Sequence, residues 1–202
     1  MAATCVKNAQ NLPVRLIFQD EARFGRMSDP RACWAPAPQR PVVGLDLVRE
    51  FKYEYAAVSP WSGDLVYMTA EKMNTASMSK FLKQISKTYT QNFNVMVLDG
   101  APSHKGKELK VPKNMALVFL PPYSPELNPV EQLWNLLRRD YFANRVFDSL
   151  NVATLQAEHG LEHMAANKRT LKSLTNWPWI NTILNAKYNK KQFLRFRLIL
   201  KT

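Results

Sequence analysis

At 202 residues and a formal charge of +12, the chain has the size of one domain of ordinary length. With 46% hydrophobic and 22% charged residues its composition is globular, and the absence of any apolar run of about 18 residues excludes a membrane-spanning helix. Cys5 and Cys33 are too few for a disulfide framework or a four-cysteine zinc site, and MAATCVKNAQ lacks the apolar core of a secretory signal.

In chain order, Val14–Phe18 is β-branched and alternating, which predicts a strand ending on the acidic pair Asp20-Glu21. Residues 51–58 and 65–69 flank a turn rich in Ser, Pro and Gly, which predicts a hairpin. A helix follows, capped by Asn74, Thr75 or Ser77, with Met78, Phe81, Leu82, Ile85 and Tyr89 at helical spacing. Val95–Leu98 and Ala116–Leu120 are short apolar runs suited to covered central strands, the first leading into Asp99-Gly100. The prolines of residues 121–129 exclude regular structure there. Asn128 then caps a helix with Pro129 first, Glu131 third, and Leu133, Leu136, Leu137 and Tyr141 along its apolar face. Residues 152–174 read as helical with Gly160 as a weak point, and Trp177-Pro178-Trp179 as packing. Strands first and β–α alternation afterwards predict an α/β fold, a mixed central sheet with helices packed on it.

The charge is skewed. Residues 1–100 carry 12 basic and 9 acidic side chains, residues 101–202 carry 16 and 7, and nine Lys or Arg follow the last acid, Glu162. Such an excess favours a polyanion, nucleic acid first, over a ribosomal-type or merely soluble basic protein. Within the basic background Asp20 and Asp99 each close a hydrophobic strand, where α/β sheets place ligands, and Glu131 opens a helix behind a rigid loop. Three converging carboxylates repel one another unless cations intervene. Hard oxygen ligands without a His/Cys cluster suit Mg²⁺ or Mn²⁺, and two such ions are suited to phosphodiester cleavage. Taken singly the acids have plain alternatives: Asp99-Gly100 as a turn, Glu131 as half of a capping box with Asn128.

QDEARFGRMSDPRACWAP, VMVLDGAPSHKGKELK and LPPYSPELNPVEQLWNLLRRDYFANRVF resemble the insertion-sequence 630 / mariner superfamily of transposases, over about Val14 to Phe147. The resemblance implies a ribonuclease H-like fold with helices on both faces of the sheet, and a DDE metal triad. Carried over by motif, the triad is Asp20, Asp99 and Glu131, with Glu21 and Glu126 as runners-up beside the matching positions. It further implies a transposase that cuts transposon ends and joins them to target DNA at TA, within a dimeric synaptic complex. The 31 residues between Asp99 and Glu131 fall a few short of the family's usual spacing, the shortening lying in KGKELKVPKN around Pro112. Relatives carry helix-turn-helix modules before this region, for which the chain has no room. The expected layout is a catalytic domain at 12–150 and a basic helical extension at 151–202, with end recognition left to a separate helix-turn-helix polypeptide or lost by truncation. The expected setting is the nucleoid of a prokaryotic cytoplasm. Alternatives of other classes are a silent remnant that only binds DNA and a ribonuclease H-like nuclease without joining.

Other residues are weighed against plain roles. Gly100–Lys107 is a near miss to a phosphate-binding loop, with a proline inside and Glu108 where Ser or Thr is required. His159 and His163 lie four apart on a helix without a third zinc ligand, and no serine-nucleophile elbow is present. His104 is placed to orient a phosphate or a carboxylate, or only to pack. Lys105, Arg138, Arg139, Lys190 and Lys191 are candidate DNA contacts, the last two within a basic-aromatic C-terminal run. Arg31 and Trp34 also have the character to touch DNA, although a strand tryptophan belongs more often to the core.

Overall fold

The computed structural model describes residues 12–185. Its first strand, β1 (Val14–Gly25), is flanked on both sides. β2 (Phe51–Ser59) pairs with it antiparallel and β3 (Asp64–Ala70) closes the hairpin. β4 (Phe93–Leu98) lies parallel on the other side of β1, with β5 (Met115–Phe119) parallel beyond it. The order β3-β2-β1-β4-β5 is a mixed sheet. The hairpin turns at Gly63, whose φ of 71° lies in the left-handed region and whose N–H returns to the Ser59 carbonyl at 2.8 Å.

β1 departs from expectation. It runs straight through Asp20 and Glu21 and continues to Gly25. The reason is asymmetric pairing: β4 accompanies β1 only over Val14–Phe18, whereas β2 follows it from Phe18 to Gly25. Asp20 therefore sits inside a strand, just past the point where one neighbour leaves, and period-two alternation sends Asp20 and Glu21 to opposite faces.

One face is covered by α1 (Thr75–Thr88). Asn74 caps it by accepting the Ser77 N–H at 2.9 Å, and Met78, Phe81, Leu82 and Ile85 face inward onto Ile17, Tyr55, Ala57, Met96 and Leu98. A one-turn helix, α2 (Pro102–Lys105), follows β4. The other face carries α3 (Val130–Leu137), α4 (Leu150–Ala166), α5 (Lys168–Thr175) and α6 (Pro178–Asn185). Leu133, Trp134 and Leu137 of α3 and Ala153, Ala157 and Leu161 of α4 pack on Leu16, Phe18, Phe24 and Val97. Leu136 and Tyr141, expected on the apolar face, are only partly buried, and Trp134 takes the central place. After α3 the chain makes a π turn over Arg138–Phe142.

The helix expected over 152–174 is two helices. Asn167 ends α4 and, by accepting the Thr170 N–H, caps α5, so the break falls there and not at Gly160. Gly160 is instead a point of close approach: a Cβ there would lie 2.3 Å from Leu137 Cδ1. Trp179 meets Phe18 edge-on at 5.9 Å, so the tryptophan pair does pack. Residues 26–50 between β1 and β2 form no helix or strand beyond a single bridge of Asp29 to Ala143, and Trp34, read as a core candidate, is fully exposed there. Among the described residues no helix is long and apolar enough to cross a membrane.

Candidate active site at the fork of the sheet

Where β4 parts from β1, three elements bring acids to one end of the sheet. The register Phe18↔Val97, carried two residues on, sets Asp20 level with Asp99. Glu131 lies in the first turn of α3, which packs on β1. Its approach is fixed by Asn128, a buried residue that ties the proline-rich loop to the central strand. The Asn128 side chain donates to the Gln19 carbonyl at 3.0 Å and accepts the Val130 N–H at 3.2 Å. The regular helix begins at Val130, and Asn128 still performs the capping expected of it.

Asp20 is partly buried on the α3 face. Trp134 Nε1 donates to its Oδ2 at 2.9 Å. Burial first, and then the negative charge of Glu131, push its carboxyl up to about 8. Among the described residues no cation figures among the causes acting on Asp20.

Asp99 is held differently. Its side chain is 54% exposed, and its Oδ1 accepts the Ala101 N–H at 3.0 Å and lies 2.8 Å from His104 Nδ1, which also bonds the Asp99 carbonyl at 3.2 Å. The bond to His104 holds the carboxyl below its ordinary range, against a smaller penalty from burial. His104, whose side chain is fully buried, reaches in the other direction to Glu21 Oε1 at 2.7 Å through Nε2. Burial opposes its charged form, but the bonds to Asp99 and Glu21 outweigh it and raise the imidazole to about 10. Glu21, Asp99 and His104 offer ligand-type atoms within 4.8 Å of one another. The expected triad is therefore divided: Asp20 is coupled to Glu131, and Asp99 is bonded into a cluster with the runner-up Glu21. Glu126 is exposed in a 3-10 turn (Pro125–Leu127).

Sequence reasoning missed the Glu21–His104 bond. Alternation after Asp20 signals only that Glu21 faces α1. Nothing local signals that a one-turn helix 83 residues later delivers His104 to it.

The basic candidates are held unevenly. Lys105 is exposed, with Nζ 5.3 Å from the centroid of Phe119 at the end of β5. Arg138 lies 5.2 Å over the Phe24 ring, and Arg139 is exposed but paired to Asp140 at 2.6 Å. Arg31 is paired to Asp29 at 2.8 Å. His163 bonds the Tyr141 hydroxyl and His159 stacks edge-on to the same ring, which gives both packing roles on an exposed helix face. Lys190 and Lys191 lie outside the described residues.

Comparison with known proteins gives this arrangement a family. An uncharacterized protein of Sinorhizobium fredii (strain NBRC 101917 / NGR234), y4pE/y4sA, is 38% identical over 96 residues, 47% of this chain and 71% of that protein. Among solved structures, the Mos1 mariner paired end complex with Mn matches 87% of this chain and 56% of its own at TM-score 0.56 and 16% identity. The Mos1 transposase paired-end complex with left transposon end matches 87% and 61% at TM-score 0.53 and 13% identity. The chain thus spans well under two thirds of the Mos1 chains and shares with them a ribonuclease H-like fold. Residues 15–154 match the family described as DDE superfamily endonuclease, a segment containing Asp20, Asp99 and Glu131 and more than half of the chain. The protein belongs to the DDE superfamily endonucleases.

Proposed function

We propose that this endonuclease is the catalytic part of an insertion-sequence transposase of the insertion-sequence 630 / mariner type, cutting transposon ends and joining them to target DNA. What supports the reading is that the β1–β4 register, carried past Phe18↔Val97, brings Asp20 level with Asp99, while Glu131 opens α3, which packs on β1, and adds its charge to the environment of Asp20. In this reading the three carboxylates hold a pair of Mg²⁺ or Mn²⁺ ions. The donor set fits: the acids are hard oxygen ligands, and each of the side-chain bonds from Trp134 and His104 falls on a single oxygen of its acid. Among the described residues no cation figures among the causes acting on Asp20 either. When bound, the ions would activate the attacking oxygen and stabilise the leaving one.

The chain's own residues position the reaction. Trp134 aims Asp20, and Ala101 and His104 aim Asp99. Lys105 and Arg138 meet phosphates beside the scissile bond, and the basic C-terminal half holds the DNA backbone. Water attacks first, and the freed 3′-hydroxyl then attacks target DNA by in-line displacement, without a covalent enzyme intermediate. TA targets, a dimeric synapse and end recognition by a separate helix-turn-helix polypeptide complete the proposal, as do catalytic residues 12–150, a basic extension at 151–202 and action at the prokaryotic nucleoid.

The test is cleavage of duplex transposon-end DNA in Mn²⁺, followed by joining of a pre-cut end bearing a free 3′-hydroxyl. Asp20→Asn and Asp99→Asn are expected to lower both steps by about a thousandfold or more while salt-sensitive DNA binding persists. Unchanged cleavage by Asp99→Asn overturns the triad, and cleavage without joining reduces the protein to a nuclease.

A further inference from the structure

We infer that Glu21 is a positioning residue for this reaction, acting on Asp99 through His104. The inference rests on the reading of Asp99 as a metal-holding acid. Glu21 follows Asp20 directly on β1 yet faces the opposite side of the sheet, opposite Tyr55 of β2, and its side chain is only 4% exposed. A carboxylate so enclosed requires a partner. It receives one from His104, held by the one-turn helix that Pro102 starts immediately after β4.

The geometry of the imidazole defines what the trio does. Its two nitrogens point away from each other, Nε2 to Glu21 Oε1 at 2.7 Å and Nδ1 to Asp99 Oδ1 at 2.8 Å. With a carboxylate oxygen at each end, both nitrogens donate. Nε2 is bonded to Glu21, and Nδ1, beside Asp99 Oδ1, also bonds the Asp99 carbonyl at 3.2 Å, so the imidazole bridges the two acids as a brace. The brace ties the middle of β1 to the first residue beyond β4, across the fork where backbone pairing between the two strands has stopped. It also sets a second contact on Oδ1 of Asp99, which already accepts the Ala101 N–H. Orientation of a ligating carboxylate by such outer contacts typically governs metal affinity by 10- to 100-fold.

Mn²⁺ titration of the DNA-free full chain, followed by electron paramagnetic resonance of the free ion, reads this directly. Glu21→Ala and His104→Ala are each expected to weaken Mn²⁺ binding about tenfold or more, with stoichiometry unchanged. The double variant should be no weaker than His104→Ala, because the two residues act in series. Glu21→Gln, which keeps an acceptor oxygen for Nε2, should bind within about threefold of wild type, and it serves where the alanine variants fail to fold. Cleavage by Glu21→Ala should recover at high Mn²⁺, whereas Asp99→Asn stays inactive at every concentration. Wild-type Mn²⁺ affinity in Glu21→Ala, additive losses in the double variant, or loss of one bound ion on removing His104 would each overturn the inference. If Asp99→Asn cuts normally, the catalytic reading fails by itself, and the coupling of Glu21 to His104 is still decided by the affinities.

Discussion

The two faces of the sheet treat their buried acids in opposite ways. On the α1 face, Glu21 is matched by His104, and the charges on that side are compensated. On the face of α3 and α4, Asp20 accepts from Trp134 Nε1 and Glu54 from the Thr69 hydroxyl, with Lys52 offsetting Glu54 only in part, and both carboxyls are raised, to about 8 and about 7. The difference separates support from opportunity. A compensated acid braces structure, while an uncompensated one either waits for a cation or burdens the fold. Exposure divides the second group: Glu54 is fully buried, whereas Asp20 opens at the fork.

The largest effect expected from breaking this contrast is at Glu54. Burial is the main cause of its raised value, and the Glu158 carboxylate, sharing the same Thr69 hydroxyl, adds to it. Because the folded value lies above the ordinary 4.5, the protein carries no penalty below about 4.5 and loses stability progressively as pH rises from there to about 7. Glu54→Gln should therefore gain about 3 kcal/mol relative to wild type between pH 4 and pH 8, measured by urea unfolding at both values. A parallel pH dependence in the two proteins would show that Glu54 is already compensated.

Gly160 sharpens the contrast in packing. Replacing a mid-helix glycine by alanine ordinarily stabilises by about 1 kcal/mol. Here the new methyl meets Leu137 at 2.3 Å and the Tyr141 ring at 3.0 Å. Gly160→Ala is expected to destabilise by about 2 kcal/mol in thermal melts, and a gain would mean that α3 and α4 are loosely seated. The smallest effect is at Trp134. Trp134→Phe keeps a ring against Phe24 but removes the donor to Asp20. A loss of about 1 kcal/mol by urea unfolding is expected, with cleavage reduced less than about tenfold because the bond positions Asp20 without replacing it.

The helix of the α1 face was legible in the sequence, with its cap among three candidates and Tyr89 falling just past its end. A single amphipathic helix with Asn74 as cap and Met78, Phe81, Leu82 and Ile85 inward carries its whole pattern within 15 residues. The other face was legible only in outline. Four short helices share its cover, and their boundaries are set by tertiary contacts, so the break at Asn167 and the close approach at Gly160 were missed. At the site, the three expected acids were identifiable as residues, but not their division between two faces. Asp20 looked like a strand end because hydrophobicity stops there, whereas pairing with β2 carries the strand on to Gly25. The link from Glu21 to His104 has no local trace.

The order β3-β2-β1-β4-β5 has a consequence for assembly. The antiparallel strands β1–β2–β3 pair residues at most a few tens apart in sequence, while the contacts that shape the site span far more chain: 83 residues from Glu21 to His104 and 114 from Asp20 to Trp134. Contacts that close such long loops are entropically the most expensive to form. Partly folded chains that hold the three antiparallel strands still lack the geometry of the site. The geometry of the site is thereby reserved for the finished fold.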